Sequence, residues 1–271
     1  MESLMFKDIT QVIPTIQGEG PKVGIPSILI RWRNCNLNCP FCDTQWSNKH
    51  TTEKFSFSSI TNYLDQYPNI DNIMFTGGEP FIYARETSEL LNEIGNYNTQ
   101  IKTIEIESNG TLINEERMKQ LLNLRSGRFK ITINISPKLG PECYSDVKSP
   151  SEIINSYKQN LAPLNRLAGS KAFDYIFKIV YSEEWKDYID GFLKTIKPMT
   201  DRRDPSHRIY MMPKTPDFRD YENNELLFIH KFRESCVNTI QFCLERGLKF
   251  SCREHVWVWF NKKNEQIEAM R

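Results

Sequence analysis

The chain has no apolar run approaching the ~18 residues needed to cross a bilayer, and its 271 residues contain no low-complexity tract and no clear internal repeat. A transmembrane protein and a repeat array are therefore not expected. Charge of one sign is also missing. With 35 basic against 34 acidic side chains and a net charge of +1, there is no global field to draw the molecule to nucleic acid or to a membrane surface, and neither is expected as a partner. The first thirty residues carry Glu2, Lys7, Asp8, Glu19 and Lys22 with no uninterrupted apolar core, which leaves no secretory or transit pattern and sets the expectation of a cytoplasmic protein. An even cysteine count is lacking too. Seven cysteines, three of them clustered, fit a reduced-compartment metal protein better than a disulfide scaffold.

What is present is an ordinary globular composition, 39% hydrophobic and 25% charged, long enough for a substantial core in one large α/β domain or two small ones. The distinctive element is Cys35-Asn-Leu-Asn-Cys39-Pro-Phe-Cys42, directly after the apolar run that starts at Ser27. This C-x3-C-x2-C spacing supplies three thiolates to one centre. An iron-sulfur cluster is normally held by four cysteines, so three leave one iron for a non-protein ligand. Two plainer readings compete: thiols packed as small hydrophobes, and a structural zinc completed by His50. The first is weak, because Asn36, Asn38, Pro40 and Asp43 make the loop polar. Cys236 and Cys243 read as core-facing residues of a helix with Leu226, Ile229, Phe232 and Ile240, while Cys143 and Cys252 have no ligand spacing.

Short β-rich runs alternate with helical patterns. Strands are expected at Ser27 to Arg31, Asn72 to Phe75, Thr103 to Glu107, Lys130 to Ile135, Tyr175 to Val180 and Arg208 to Met211. Helices are expected near 58–66, 85–96, 114–124, 150–165, 184–196 and 224–246, the last stopped by Gly247. The alternation implies an α/β fold with a mainly parallel sheet, open or closed into a barrel. The cysteine loop, Thr76-Gly-Gly-Glu-Pro80, Ser108-Asn-Gly-Thr111 and Ser136-Pro-Lys138 each follow a strand. Four unusual segments at strand carboxyl ends mark the ligand face of such a sheet. The stretch 139–172 is a longer connection, read as a lid or a surface insertion. Residues 252–259 alternate like a late strand, with Trp257 and Trp259 on one face.

These motifs resemble a known family. Cys35, Cys39 and Cys42 with Thr76-Gly-Gly-Glu-Pro80 are similar to the radical S-adenosylmethionine (SAM) enzymes, and Thr15-Ile-Gln-Gly-Glu-Gly20 narrows the resemblance to the QueE-like 7-carboxy-7-deazaguanine synthases. It runs from about Gln11 to Asn264. The resemblance implies a single radical SAM domain over 1–271 with 139–172 as a candidate insertion, folded as a partial, modified (β/α)6 barrel. It implies a 4Fe-4S cluster on Cys35, Cys39 and Cys42 and SAM on the remaining iron, with Phe41, Gly78, Glu79, Ser108, Asn109, Ser136 and Lys138 as further SAM contacts. Ile16, Gln17, Glu19, Arg31, Thr76, Gly78 and His255 fall where the family binds 6-carboxy-5,6,7,8-tetrahydropterin. A carboxylate such as Glu19 suits the pterin's paired N–H donors, and a guanidinium such as Arg31 suits its carboxylate. Thr44 falls where the family places Mg2+, an ion that commonly keeps few protein ligands.

The implied reaction is a radical ring contraction to 7-carboxy-7-deazaguanine with loss of ammonia, a carbon-nitrogen lyase step in queuosine-type 7-deazaguanine biosynthesis. A homodimer and an electron donor such as flavodoxin are implied with it. Departures from the family are Met212-Pro213 for Gln-Pro and Arg253-Glu254-His255 for Gln-x-His. Two rivals are a glycyl-radical-enzyme activase acting on a protein partner, and a non-enzymatic zinc module of Cys35, Cys39, Cys42 and His50.

Overall fold

The computed structural model describes residues 5–42, 55–97, 100–124, 127–146, 148–167, 173–199, 208–216 and 224–259. In chain order the elements are Met5–Phe6 (β1), Ile9–Ile16 (β2), Pro26–Trp32 (β3), Phe55–Ser56 (β4), Phe57–Gln66 (α1), Asn72–Gly77 (β5), Ala84–Tyr97 (α2), Thr103–Ser108 (β6), Glu115–Leu121 (α3), Lys130–Ile135 (β7), Pro150–Asn160 (α4), Ala162–Leu167 (α5), Phe173–Tyr181 (β8), Lys186–Ile196 (α6), Ile209–Pro213 (β9), Glu225–Arg246 (α7), Lys249–Phe250 (β10) and Glu254–Trp259 (α8). One eight-stranded sheet has the order β10-β9-β8-β7-β6-β5-β3-β2, and β1 pairs with β4 separately. Within the large sheet every pairing is parallel except β2 on β3. This is the largely parallel α/β sheet of a partial barrel. No described helix is long and apolar enough to cross a membrane.

The strands explain themselves by alternation, since successive side chains point to opposite faces. Ile28, Ile30 and Trp32 of β3, Ile104 and Ile106 of β6, and Ile131, Ile133 and Ile135 of β7 enter the main core with the helices. The residues between them, Arg31, Glu105, Glu107 and Asn134, share the other face, where polar side chains bond to one another. One strand thus builds both the apolar layer and the polar interior of the barrel.

The structure departs from expectation at four places. Strand β2 was not foreseen; it contains Pro14 and forms at the sheet edge, where a proline's missing N–H disturbs least. The 252–259 alternation is not a strand: Glu254–Trp259 is a short helix. In α7, Leu226 and Ile240 do not face the core; they are 81% and 39% exposed. The 139–172 stretch carries α4 and α5 between β7 and β8, and Leu139, Ile153, Tyr157, Leu161 and Leu164 join the main core. Those residues make the stretch a packed crossover rather than a lid.

Candidate active site

A cavity of about 440 Å³ opens at the carboxyl ends of the strands, within the size range of small-molecule sites. Cys35, Cys39 and Cys42 line one part of it, with Phe41, Gly78, Ser108, Asn109, Ser136 and Lys138; Ile16, Gln17, Glu19, Arg31, Thr76 and His255 line it as well. Fifteen positions singled out from the sequence therefore line one cavity. Thr44, Asp43 and His50 lie outside the described residues.

The cysteine loop is held by its neighbours. Asn34 Nδ2 donates to the Tyr83 hydroxyl at 2.6 Å, Asn36 Nδ2 to Thr111 Oγ1 at 2.8 Å, and Asn109 Nδ2 to Asn36 Oδ1 at 3.0 Å. Asn109 Nδ2 also lies 3.8 Å from Cys35 Sγ. Burial pushes the Cys35 thiol up, whereas a hydrogen bond from Cys143 brings that of Cys39 down. Cys143, whose spacing pointed to no role, is thus a fourth thiol against the loop. Across the wall, Lys138 Nζ donates to Ser136 Oγ at 2.9 Å.

The glycine pair has a role beyond ligand approach. A Cβ on Gly77 would fall 2.2 Å from the Trp32 carbonyl oxygen, and one on Gly78 would fall 1.8 Å from that of Asn34. The end of β3 thus lies against Gly77 and the start of the cysteine loop against Gly78, fastened by Gly78 N to Trp32 O at 2.8 Å and Glu79 N to Asn34 O at 2.7 Å. Gly77 also has φ +113°, which side chains rarely adopt. Glu79 does not reach the cavity. It is fully buried behind the wall, accepting from Phe81 N at 3.0 Å, Ser108 Oγ at 2.8 Å and Asn109 N at 2.7 Å. Burial pushes its carboxyl up against those bonds. It braces two strand-exit loops from behind the cavity wall.

The opposite side of the cavity is made by two distant segments. Gly20 N donates to Ser251 Oγ at 2.7 Å, and Glu254 N to Gly18 O at 3.0 Å. A Cβ on Gly18 would meet His255 Nδ1 at 2.4 Å. Between these segments Glu19 is far from a solvated loop carboxylate. It accepts from Lys178 Nζ at 2.8 Å and Arg253 Nε at 2.8 Å, with His255 Nε2 at 3.9 Å. Lys178, 1% exposed, also reaches Glu107 at 2.6 Å. Burial opposes ionisation of Glu19, yet Lys178, Arg253 and His255 hold it well below the usual carboxylate range. Burial pushes Glu107 the other way, with Lys178 resisting. Gln17 Nε2 and Asn134 Nδ2 bridge Glu105 and Glu107 at 2.7–3.2 Å. Arg31 is buried, its Nε donating to Gln11 Oε1 at 2.9 Å. The Arg253 departure from the family pattern is therefore part of the wall, paired with Glu19.

Sequence reasoning missed Lys178, Glu107 and Cys143. For the first two a signal existed: Lys178 is a lone cation in an apolar strand, and Glu105 and Glu107 are charged at alternate positions of another.

The radical SAM superfamily model matches residues 29–165. The chain belongs to the radical SAM superfamily, and it is an enzyme of that class. Within it the resemblance is to the 7-carboxy-7-deazaguanine synthases. That of Methanothermobacter thermautotrophicus is 35% identical over 157 residues, covering 56% of this chain and 61% of the relative. That of Halobacterium salinarum is 26% identical over 262 residues, covering 93% and 90%. The crystal structure of QueE from Escherichia coli superposes with a TM-score of 0.55 at 18% identity, covering 92% of this chain and 94% of that one, which shows the shared fold. The superfamily implies a 4Fe-4S cluster and SAM. The donors fit: Cys35, Cys39 and Cys42 line one cavity within the span that the superfamily model matches. The zinc module gives way to this class.

Proposed function

We propose that the chain is a 7-carboxy-7-deazaguanine synthase, converting 6-carboxy-5,6,7,8-tetrahydropterin to 7-carboxy-7-deazaguanine and ammonia with Mg2+. The observation that carries this reading is the joining of the Gln17–Gly20 turn to the Ser251–His255 segment in one cavity with the cysteine loop. When bound, the cluster and SAM would supply one-electron chemistry to the substrate side of the cavity. Cys35, Cys39 and Cys42 hold the cluster. Gly78, Ser108, Asn109, Ser136 and Lys138, with Phe41, line the SAM side, and Glu79 fixes Ser108 and Asn109 from behind.

On the substrate side, Arg31 presents a permanent cation to the pterin carboxylate. Glu19, kept ionised by its cations, accepts from the ring N–H groups with the lone pairs it has left. Gln17, Ile16, Thr76 and His255 complete the walls, and Thr44 is the Mg2+ ligand. Closely spaced buried charges fix orientation more than they add affinity. We read the chain as a single domain acting as a homodimer in the cytoplasm, with a flavodoxin-like donor of electrons.

The test is anaerobic incubation of cluster-loaded protein with the pterin, SAM, reductant and Mg2+. The deazaguanine is expected, and its absence with an intact cluster defeats the reading. Arg31→Ala should raise KM for the pterin at least about tenfold, the value of a lost charged hydrogen bond, with the cluster absorbance unchanged.

A further inference from the structure

Two thiols away from the cavity are left unused by this chemistry. Cys236 lies in α7 and Cys252 follows β10; both pack with Phe228, Phe232 and Val256 in a small apolar cluster separate from the main core. Their side chains are hydrogen-bonded to each other. The Trp257 indole N–H donates to Cys252 Sγ at 3.0 Å. The pair is unequal, because Cys236 is buried and Cys252 is partly open to solvent. The bond from Cys236 brings the Cys252 thiol down to about 6, with burial and Glu254 opposing and Trp257 assisting, while Cys236 itself is pushed up. The more accessible sulfur therefore carries the larger share of thiolate, with the buried thiol beside it as the proton-bearing partner. An accessible thiolate with a resolving partner is the arrangement that favours exchange over a stable adduct.

We propose that Cys236 and Cys252 form a reversible dithiol–disulfide site, oxidised by exchange with a low-molecular-weight disulfide such as glutathione disulfide. The Cys252 thiolate attacks one sulfur of the oxidant; its S–S bond breaks, and one glutathione leaves as thiolate. Cys236 releases its proton to solvent and attacks the Cys252 sulfur of the mixed disulfide, expelling the second glutathione. Two protein thiols lose two electrons, and one disulfide becomes two thiols. The new bond ties α7 to the segment bearing Arg253 and His255, so oxidation acts on the wall that holds Glu19. The site does not depend on which substrate the cavity takes.

Cluster-loaded protein is equilibrated without oxygen at graded ratios of oxidised to reduced glutathione, acid-quenched, alkylated with iodoacetamide, digested and weighed. The expected product is a peptide pair joined through Cys236 and Cys252, accumulating with the ratio and lost on adding excess dithiothreitol. In Cys236→Ser, Cys252 should instead retain a glutathione adduct. Alkylation of both cysteines at every ratio overturns the proposal, as does a persistent Cys252 adduct in the wild-type chain with Cys236 free. The wild-type result decides alone if the variant fails to fold.

Discussion

Lys178 carries its ammonium into the interior of the sheet, where Glu19 and Glu107 lie 2.8 and 2.6 Å away. A buried ion cluster adds little net stability over an apolar one, but deleting a single partner leaves uncompensated charge. Lys178→Met should therefore lower the unfolding free energy by about 3–5 kcal/mol, seen as a lower urea midpoint at unchanged slope. Adding Glu107→Gln to that variant should return part of the loss; equal midpoints for wild type and Lys178→Met would remove the charge-balance argument. Arg31 was legible as a lone cation in Ile-Leu-Ile-Arg-Trp, and Lys178 carries the same signal in Phe177-Lys-Ile-Val180. Its partner Glu19 stands 159 residues away, and no local pattern announces a pairing at that distance.

Among the elements, the strand-exit loops support one another more than they support any ligand. The cysteine loop lies on Gly78, Glu79 ties β5 to the loop after β6, and Tyr157 of α4 donates to Asn109 O at 3.0 Å while accepting from Lys138 N at 2.8 Å. Gly78→Ala forces a methyl into the Asn34 carbonyl. Overpacking of this kind costs roughly 1–3 kcal/mol, so the variant should melt several degrees lower and take up less iron on reconstitution; wild-type iron content and melting would show the loop free to move aside. The six expected strands were readable because their alternation is dense in Ile and Phe. The glycine pair was readable as a turn, but not as the bed of the cysteine loop, since that contact joins segments about forty residues apart. The last helix was misread because six residues satisfy either period.

For the molecule as a whole, acid behaviour follows from two opposed carboxyls. Glu19 is depressed by its cations against burial, so it stabilises the fold above the ordinary value of 4.5, and that contribution vanishes as pH falls through the lower folded value. Glu107 is raised by burial, so its contribution runs the other way and is withdrawn as pH climbs from 4.5 through the higher folded value. Together these two contributions are greatest near the ordinary carboxylate range, and Glu79, also raised by burial, acts in the same direction as Glu107. Glu19→Gln should flatten the acid limb and Glu107→Gln the other, as anaerobic melts across pH will read; parallel profiles for all three proteins would contradict this assignment.

The bonds from Gly20 to Ser251 and from Glu254 to Gly18 also bear on synthesis. A nascent chain emerging from the ribosome has its three thiols and nine of its ten described strands in hand well before Ser251 appears, and until then the chamber lacks one side. Truncation upstream of Ser251 leaves every cysteine of the loop in place yet removes the partners of Gly18, Gly20 and Glu19, and so yields an unclosed vessel.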